Sequence, residues 1–181
     1  MKNAKPNSAH FATAELEKLG KLDCVITQNV DGLHQKAGVP PEKVFELHGS
    51  FRRIICIDCG ETFSVNDVIN RIKEEEIPDC KKCRGILKPG VVFFGEPLPE
   101  DVLHESINRS RCCDLIIVIG SSFVVYPAAH IPIYAVESGA KMVIINIDST
   151  SFDPYATVVI NGKAGDTTEK IMEQVRNRLV V

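Results

Sequence analysis

No apolar run in this 181-residue chain approaches the roughly 20 residues that a membrane-spanning helix needs. No charge of one sign dominates either: 21 Lys and Arg stand against 24 Asp and Glu, a formal net charge of −3. Nothing therefore steers the whole chain towards nucleic acid or an anionic membrane. The opening Met1-Lys2-Asn3-Ala4-Lys5-Pro6-Asn7 lacks the apolar stretch of a secretory signal, and there is no internal repeat or low-complexity segment. These absences lead us to expect a cytoplasmic, globular protein. In that setting seven cysteines read as thiols or metal ligands rather than disulfides. Apolar residues at 44% and charged residues at 25% can build a normal core, and the length suits one large domain with a small module.

The periodicity predicts a helix over 8–20, with Ser8 as its cap and Gly20 as its stop. Strands are expected at 23–27, 44–47 and 91–94. Further on, a helix over 101–112, a buried strand over 114–119, a helix over 127–138, strands over 141–147 and 156–160, and a helix over 167–179 follow in alternation. Continuous β-branched strands alternating with helices imply an α/β protein with a parallel sheet covered on both faces. Between 52 and 87 the composition shifts to Cys, Lys, Glu and Asp. The expected division is therefore a main domain of 1–51 and 88–181 and an inserted module of 52–87.

Cys56-x2-Cys59 and Cys80-x2-Cys83 form the strongest local signal. Two thiolate pairs on tight knuckles supply four soft ligands in the tetrahedral set that zinc takes, with no position left for water. The expectation is a structural zinc ribbon; unrelated thiols or a redox pair is the alternative. Arg71, Lys73, Lys81, Lys82, Arg84 and Lys88 are offset by Glu74, Glu75, Glu76 and Asp79, so no basic stripe for nucleic acid forms. Cys24, Cys112 and Cys113, beside apolar strands, are expected to be buried thiols.

A second constellation lies nearer the start. The apolar Cys24-Val25-Ile26 runs into Thr27-Gln28-Asn29-Val30-Asp31-Gly32-Leu33-His34, and Glu46-Leu47-His48-Gly49 ends another short strand. Ligands in α/β proteins are held at strand ends, which puts Gln28, Asn29, Asp31 and His48 at one candidate site. An imidazole exchanges protons near neutral pH, the property a general base needs. Lys88-Pro89-Gly90-Val91-Val92-Phe93-Phe94-Gly95-Glu96 then leads out of the cysteine-rich segment, and Gly120-Ser121-Ser122 ends a later strand.

In this order and spacing the motifs resemble the catalytic core of the sirtuins, the NAD-dependent lysine deacylases. The resemblance runs from the first ten residues to the end. It implies a Rossmann-like parallel sheet with a four-cysteine zinc ribbon, NAD as co-substrate, structural Zn2+, and acyl-lysine peptides or proteins as partners. It implies that an acyl-lysine oxygen displaces nicotinamide from NAD, leaving free lysine and O-acyl-ADP-ribose, with His48 as general base. By the same resemblance Gln28, Asn29 and Asp31 hold the nicotinamide ribose. Gly120, Ser121 and Ser122 form a second dinucleotide contact, Asn146 and Asp148 hold the adenosine ribose, and Gly165 and Asp166 lie in an adenine-side loop. Val92, Phe93, Phe94, Gly95 and Glu96 belong to the strand beside which the peptide adds, with Val92 and Phe94 lining a lysine tunnel and Gly95 allowing close backbone approach. His10 and His34 are expected to be structural, and His104 and His130 to be surface or packing residues on helices.

The family also has a Gly-Ala-Gly-x-Ser strand–turn–helix and a cofactor loop ahead of the segment matched by Asn3-Ala4-Lys5-Pro6-Asn7, and neither occurs in this chain. The expectation is a truncated family member whose first strand is absent, with unpaired strand edges as the consequence. Two other activities stay open on sequence alone: a non-catalytic acyl-lysine binding module, and mono-ADP-ribosyl transfer.

Overall fold

The computed structural model describes residues 4–74 and 76–179; Glu75, counted above among the acidic residues, lies outside them. Helix α1 (Ser8–Lys18) is capped by Asn7, whose Oδ1 accepts the N–H groups of Ala9 and His10 at 3.1 and 3.3 Å. Ser8, the expected cap, is instead the first helical residue, and its hydroxyl faces Glu169 across the chain. The amide of Asn7 reaches the first-turn donors from just outside the helix, which a residue already inside it cannot do.

Strand β1 (Val25–Thr27) leads through helix α2 (Leu33–Ala37) to β2 (Val44–Glu46), and the two strands pair in parallel. Next come β3 (Gly49–Cys56), β4 (Thr62–Ser64), helix α3 (Val65–Ile72) and β5 (Leu87–Val91). These three strands make an antiparallel sheet in the order β4-β3-β5. The boundaries expected at 52 and 87 fall within β3 and at the start of β5, so these two strands run from one segment into the other.

The second half alternates as expected: α4 (Glu100–Cys112), β6 (Leu115–Ile119), α5 (Ile131–Glu137), β7 (Lys141–Asn146), β8 (Val158–Asn161) and α6 (Ala164–Leu179). Strands β6, β7 and β8 form a parallel sheet in chain order. The expected helix over 127–138 opens as a 3₁₀ turn, Ala128–His130, before α5. The last helix begins three residues earlier than predicted, because Thr168 Oγ1 donates to the carbonyl of Ala164 at 2.7 Å and closes its first turn.

The fold is thus α/β with parallel strands, as the alternation implies. Those strands lie in two sheets, and among the described residues no strand pairs with the far edge of β1 or β6. One face of β6 joins the main core: Ile116 and Val118 pack against buried Met142, Ile144 and Phe152. The expectation of a fully buried strand fails on the other face, where Leu115 and Ile117 are exposed. Side chains alternate across a strand, so covering one face leaves the side chains of the other in solvent. On the first sheet, Ala14, Val25, Val39 and Val44 form a second cluster. Leu47, Ala128 and Ile131, with Ile26 and Val102 against them, form a third that ties β1 and β2 to α4 and α5. A bidentate Arg176–Glu15 pair joins α6 to α1.

Candidate active site and metal centre

Two segments are stitched together at the ends of β1 and β2. Leu47 N–H donates to the Thr27 carbonyl at 2.9 Å and Phe51 N–H to the Val30 carbonyl at 3.0 Å. Between them, His48 Nδ1 lies 3.0 Å from the carbonyl oxygen of Gln28. A carbonyl can only accept, so Nδ1 carries the proton, and the lone pair of the neutral ring sits on Nε2. The half-buried His48 is thereby oriented with its basic nitrogen turned away from the main chain that holds it.

Asp31 closes the turn after β1 by accepting the Leu33 N–H at 2.9 Å. Two further imidazoles stand beside it. The rings of His10 and His34 lie 4.7 Å apart, and His34 Nδ1 is 3.3 Å from Thr13 Oγ1, whose hydroxyl donates to the His10 carbonyl. Burial pushes the His34 imidazole down to about 4, helped by the neighbouring His10 and opposed by Asp31. Burial also lowers His10, again against Asp31. Both rings are neutral packing groups at neutral pH, the structural part expected of them.

Gly49, next to His48, has φ +72, and a Cβ built there would stand 2.2 Å from the Gly90 carbonyl oxygen. No other residue fits: the backbone is left-handed and the facing strand is in contact. This close approach brings the third candidate segment in. Gly49 pairs with Val91, and Val92 N–H donates to the His48 carbonyl at 2.9 Å. Strand β5 stops at Val91, however, and the expected strand over 91–94 is instead a turn at 93–96. Glu96 causes this by accepting the Phe93 N–H at 2.9 Å on its carboxylate while its own N–H donates to the Phe93 carbonyl. Phe94 at the tip is wholly exposed. Gly95 serves the turn through φ +89, and nothing lies within 4 Å of where its Cβ would be, so its backbone is open on that side.

The remaining candidates sit at other strand ends. Gly120 follows β6 and donates to the Ile145 carbonyl, and Ser121 Oγ accepts the Phe123 N–H at 3.2 Å. Asn146, the last residue of β7, donates from its amide to the Asp148 carbonyl at 2.9 Å, so this pair does come together. Gly165 and Asp166 are in the first turn of α6, not in a loop before it. Amides, carboxylates and small residues at the carboxyl ends of parallel strands match the polar hydroxyls of a dinucleotide, which makes the set chemically suitable for NAD.

The four ribbon cysteines converge. Their Sγ atoms all lie within 4.8 Å of one another, with Cys56–Cys83 at 3.5 Å and Cys59–Cys80 at 3.7 Å. Four sulfurs around one zinc at about 2.3 Å stand about 3.8 Å apart, so this donor set fits a tetrahedral zinc. Of the basic residues around it, Arg71 and Arg84 pair with Asp79, one of the acids expected to offset them, while Lys82 pairs with Glu61, which was not. Of the other thiols, Cys24 and Cys113 are half-buried and Cys112 is exposed, contrary to expectation. Cys112 ends α4 on its solvent side. Desolvation raises Cys24 to about 12, so its thiol stays protonated at neutral pH. His104 is exposed on α4, and His130 packs between Tyr126 and Tyr134.

Two side-chain pairings escaped the sequence reading. Arg52 donates to Glu46 at 2.9 Å and to Ser50 at 3.1 Å, and its side chain occupies the space beside Gly32. Lys88 grips both carboxylate oxygens of Glu96. Neither had a signal in the chain, because the partners meet only after folding.

This geometry has close counterparts. A family model described as the Sir2 family matches residues 1–127. An NAD-dependent protein deacylase 2 from Archaeoglobus fulgidus is 49% identical over 174 residues, covering 96% of this chain and 68% of that protein. The chain belongs to the Sir2 family. A second relative, the NAD-dependent protein deacetylase of Thermotoga maritima, is 45% identical over 96% of this chain and 70% of its own length. The solved structure of Sir2 bound to acetylated peptide superposes with a TM-score of 0.90 at 44% identity, covering 95% of this chain and 71% of that one. Sir2 with a p53 peptide and NAD+ gives 0.88 at 45% identity, with 94% and 70% covered. This Sir2-family chain thus spans about two thirds of the length of the relatives it matches.

Proposed function

We propose that this Sir2-family chain is an NAD-dependent protein-lysine deacylase with His48 as its general base. One observation carries the reading: the Nδ1–H of His48 is engaged by the Gln28 carbonyl, which leaves Nε2 as the accepting atom. The same residue is bonded through its carbonyl to Val92, so the base, the Gln28–Asp31 turn and the peptide-side segment form one unit. NAD supplies a ribosyl carbon that gives up nicotinamide. The chain's own residues orient and shield the reactants: Gln28, Asn29 and Asp31 hold ribose hydroxyls, and His48 Nε2 takes a hydroxyl proton. Gly120, Ser121, Ser122, Asn146 and Asp148, with Gly165 and Asp166 at the head of α6, serve the rest of the dinucleotide. Val92 to Glu96 receive the acyl-lysine peptide as an added strand.

Zinc at Cys56, Cys59, Cys80 and Cys83 is structural, since four sulfurs fill its shell. The working division is a NAD-binding domain of 1–51 and 88–181 with a zinc module of 52–87. Among the described residues no helix is long and apolar enough to cross a membrane; the cytoplasmic address is proposed from the sequence alone.

The test is nicotinamide release from NAD by the zinc-loaded chain, with and without an acetyl-lysine peptide, and with His48→Ala as blank. Peptide-dependent release above the blank is expected. Peptide binding without release from folded protein would overturn the enzyme reading in favour of a binding module. Labelled NAD incorporated into protein would turn it towards ADP-ribosyl transfer.

A further inference from the structure

The turn that ends the substrate segment is held by a side-chain clasp from eight residues upstream. Lys88, on β5, places Nζ 2.6 Å from Glu96 Oε1, with Oε2 also in reach, and 4.7 Å from the centroid of the Phe93 ring. Glu96 Oε2 accepts the Phe93 N–H at 2.9 Å, and Glu96 N–H returns to the Phe93 carbonyl at 3.0 Å. The ammonium holds the Glu96 carboxyl below its usual range, and the Phe93 N–H adds to this. One lysine thus fixes the charge, the ring and the main chain of a single turn.

The consequence concerns which backbone groups are left over. Val92 N–H is taken by His48 and Phe93 N–H by Glu96. Among the described residues no protein group bonds the N–H of Phe94 or Gly95, and Phe94 stands out in solvent. A segment that pairs with an incoming strand needs its free donors and acceptors presented in one fixed direction. We infer that the Lys88–Glu96 clasp is a positioning device for peptide recognition, setting the turn at 93–96 so that Phe94 and Gly95 offer their main chain to the acyl-lysine peptide. Lys88 and Glu96 are positioning residues here, and the inference rests on the acyl-lysine reading of the site. The paired charges cancel, so the clasp by itself favours neither acidic nor basic residues flanking the acyl-lysine.

The experiment uses zinc-loaded parent chain, Lys88→Met, Glu96→Gln and the conservative Lys88→Arg. Hydrogen exchange at the Phe93 and Phe94 amides and the Kd of fluorescein-labelled acetyl-lysine peptides with acidic or basic flanks are measured for each. In the parent, Phe93 exchanges more slowly than Phe94, and both Met and Gln variants lose that protection. Each raises the peptide Kd about two- to fivefold, the scale of losing an exposed ion pair, while Lys88→Arg keeps parent affinity. Lys88→Met leaves a bare carboxylate and shifts preference towards basic flanks. Glu96→Gln leaves a bare ammonium and shifts it towards acidic ones. A merely structural role would not move the two variants in opposite directions. Peptide binding by the parent with unchanged Kd and flank preference in both variants would overturn the clasp alone. A protected Phe93 in a parent that binds no peptide would overturn the reading of the site, and the clasp's part in recognition with it.

Discussion

The main-chain N–H of Val92 donates to the main-chain carbonyl of His48 at 2.9 Å. The residue proposed to move the proton and the segment proposed to hold the peptide are therefore neighbours through backbone, not through adaptable side chains. Any shift of one is passed to the other. The link continues outward, because β3 runs from Gly49 beside His48 to the ligand Cys56, and β5 runs from Leu87 back to Val91.

Replacing His48 by Ala removes the imidazole held with a free Nε2 between these segments. Turnover is expected to fall by about 10²–10⁴-fold, the range of a lost general base, with zinc content unchanged. Single-turnover release of nicotinamide and metal analysis on the same sample check both halves.

Gly49→Ala tests the contact itself. The new Cβ would lie 2.2 Å from the Gly90 oxygen in a residue with φ +72. A loss of about 1–3 kcal/mol is expected from the strained backbone, together with weaker peptide binding. Denaturant unfolding and peptide titration are the measurements; an unperturbed variant would mean that β3 and β5 part without consequence.

Metal removal should act at a distance. A chelator takes away the anchor of the Cys56–Cys59 and Cys80–Cys83 knuckles, and structural zinc contributes folding energy directly. Loss of one zinc per chain, lower thermal stability and a raised KM for peptide are expected together, and Cys80→Ala should reproduce them. Retained stability in that variant would remove the ribbon assignment.

Acid should weaken the fold through His34. Its folded value of about 4 lies below the model-compound 6.5, so between these values the unfolded chain binds the proton first. Stability is then fully present above about pH 6.5 and is lost as pH falls towards 4. His34→Gln should flatten this part of the stability–pH curve. A curve identical to the parent's would show that the ring is not held neutral by its packing against His10 and Thr13.

Much of this was legible in the chain. The two Cys-x2-Cys pairs announced a metal site because a knuckle is local, and the α/β alternation followed from continuous β-branched runs such as Leu115 to Ile119. His48-Gly49 stood out beside the Gln28–Asp31 run. What failed did so where a particular side-chain contact or the cover of one face decided the outcome. Glu96 turned the strand expected over 91–94 into a turn beyond Val91. Asn7 rather than Ser8 capped α1. Leu115 and Ile117 were apolar enough for a core that covers only the opposite face of β6.

The sequence by itself determined which groups this protein can use: four thiols at ribbon spacing, one His before a glycine, amides and carboxylates at strand ends. Residue type and short spacing are enough for that, because they depend on covalent neighbours. Only the tertiary structure decided which nitrogen of His48 is basic, that Val92 is tied to it, and that Lys88 closes on Glu96. Those facts depend on hydrogen bonds between segments brought together by sheet pairing and close packing. Their directions exist only once the chain has crossed itself.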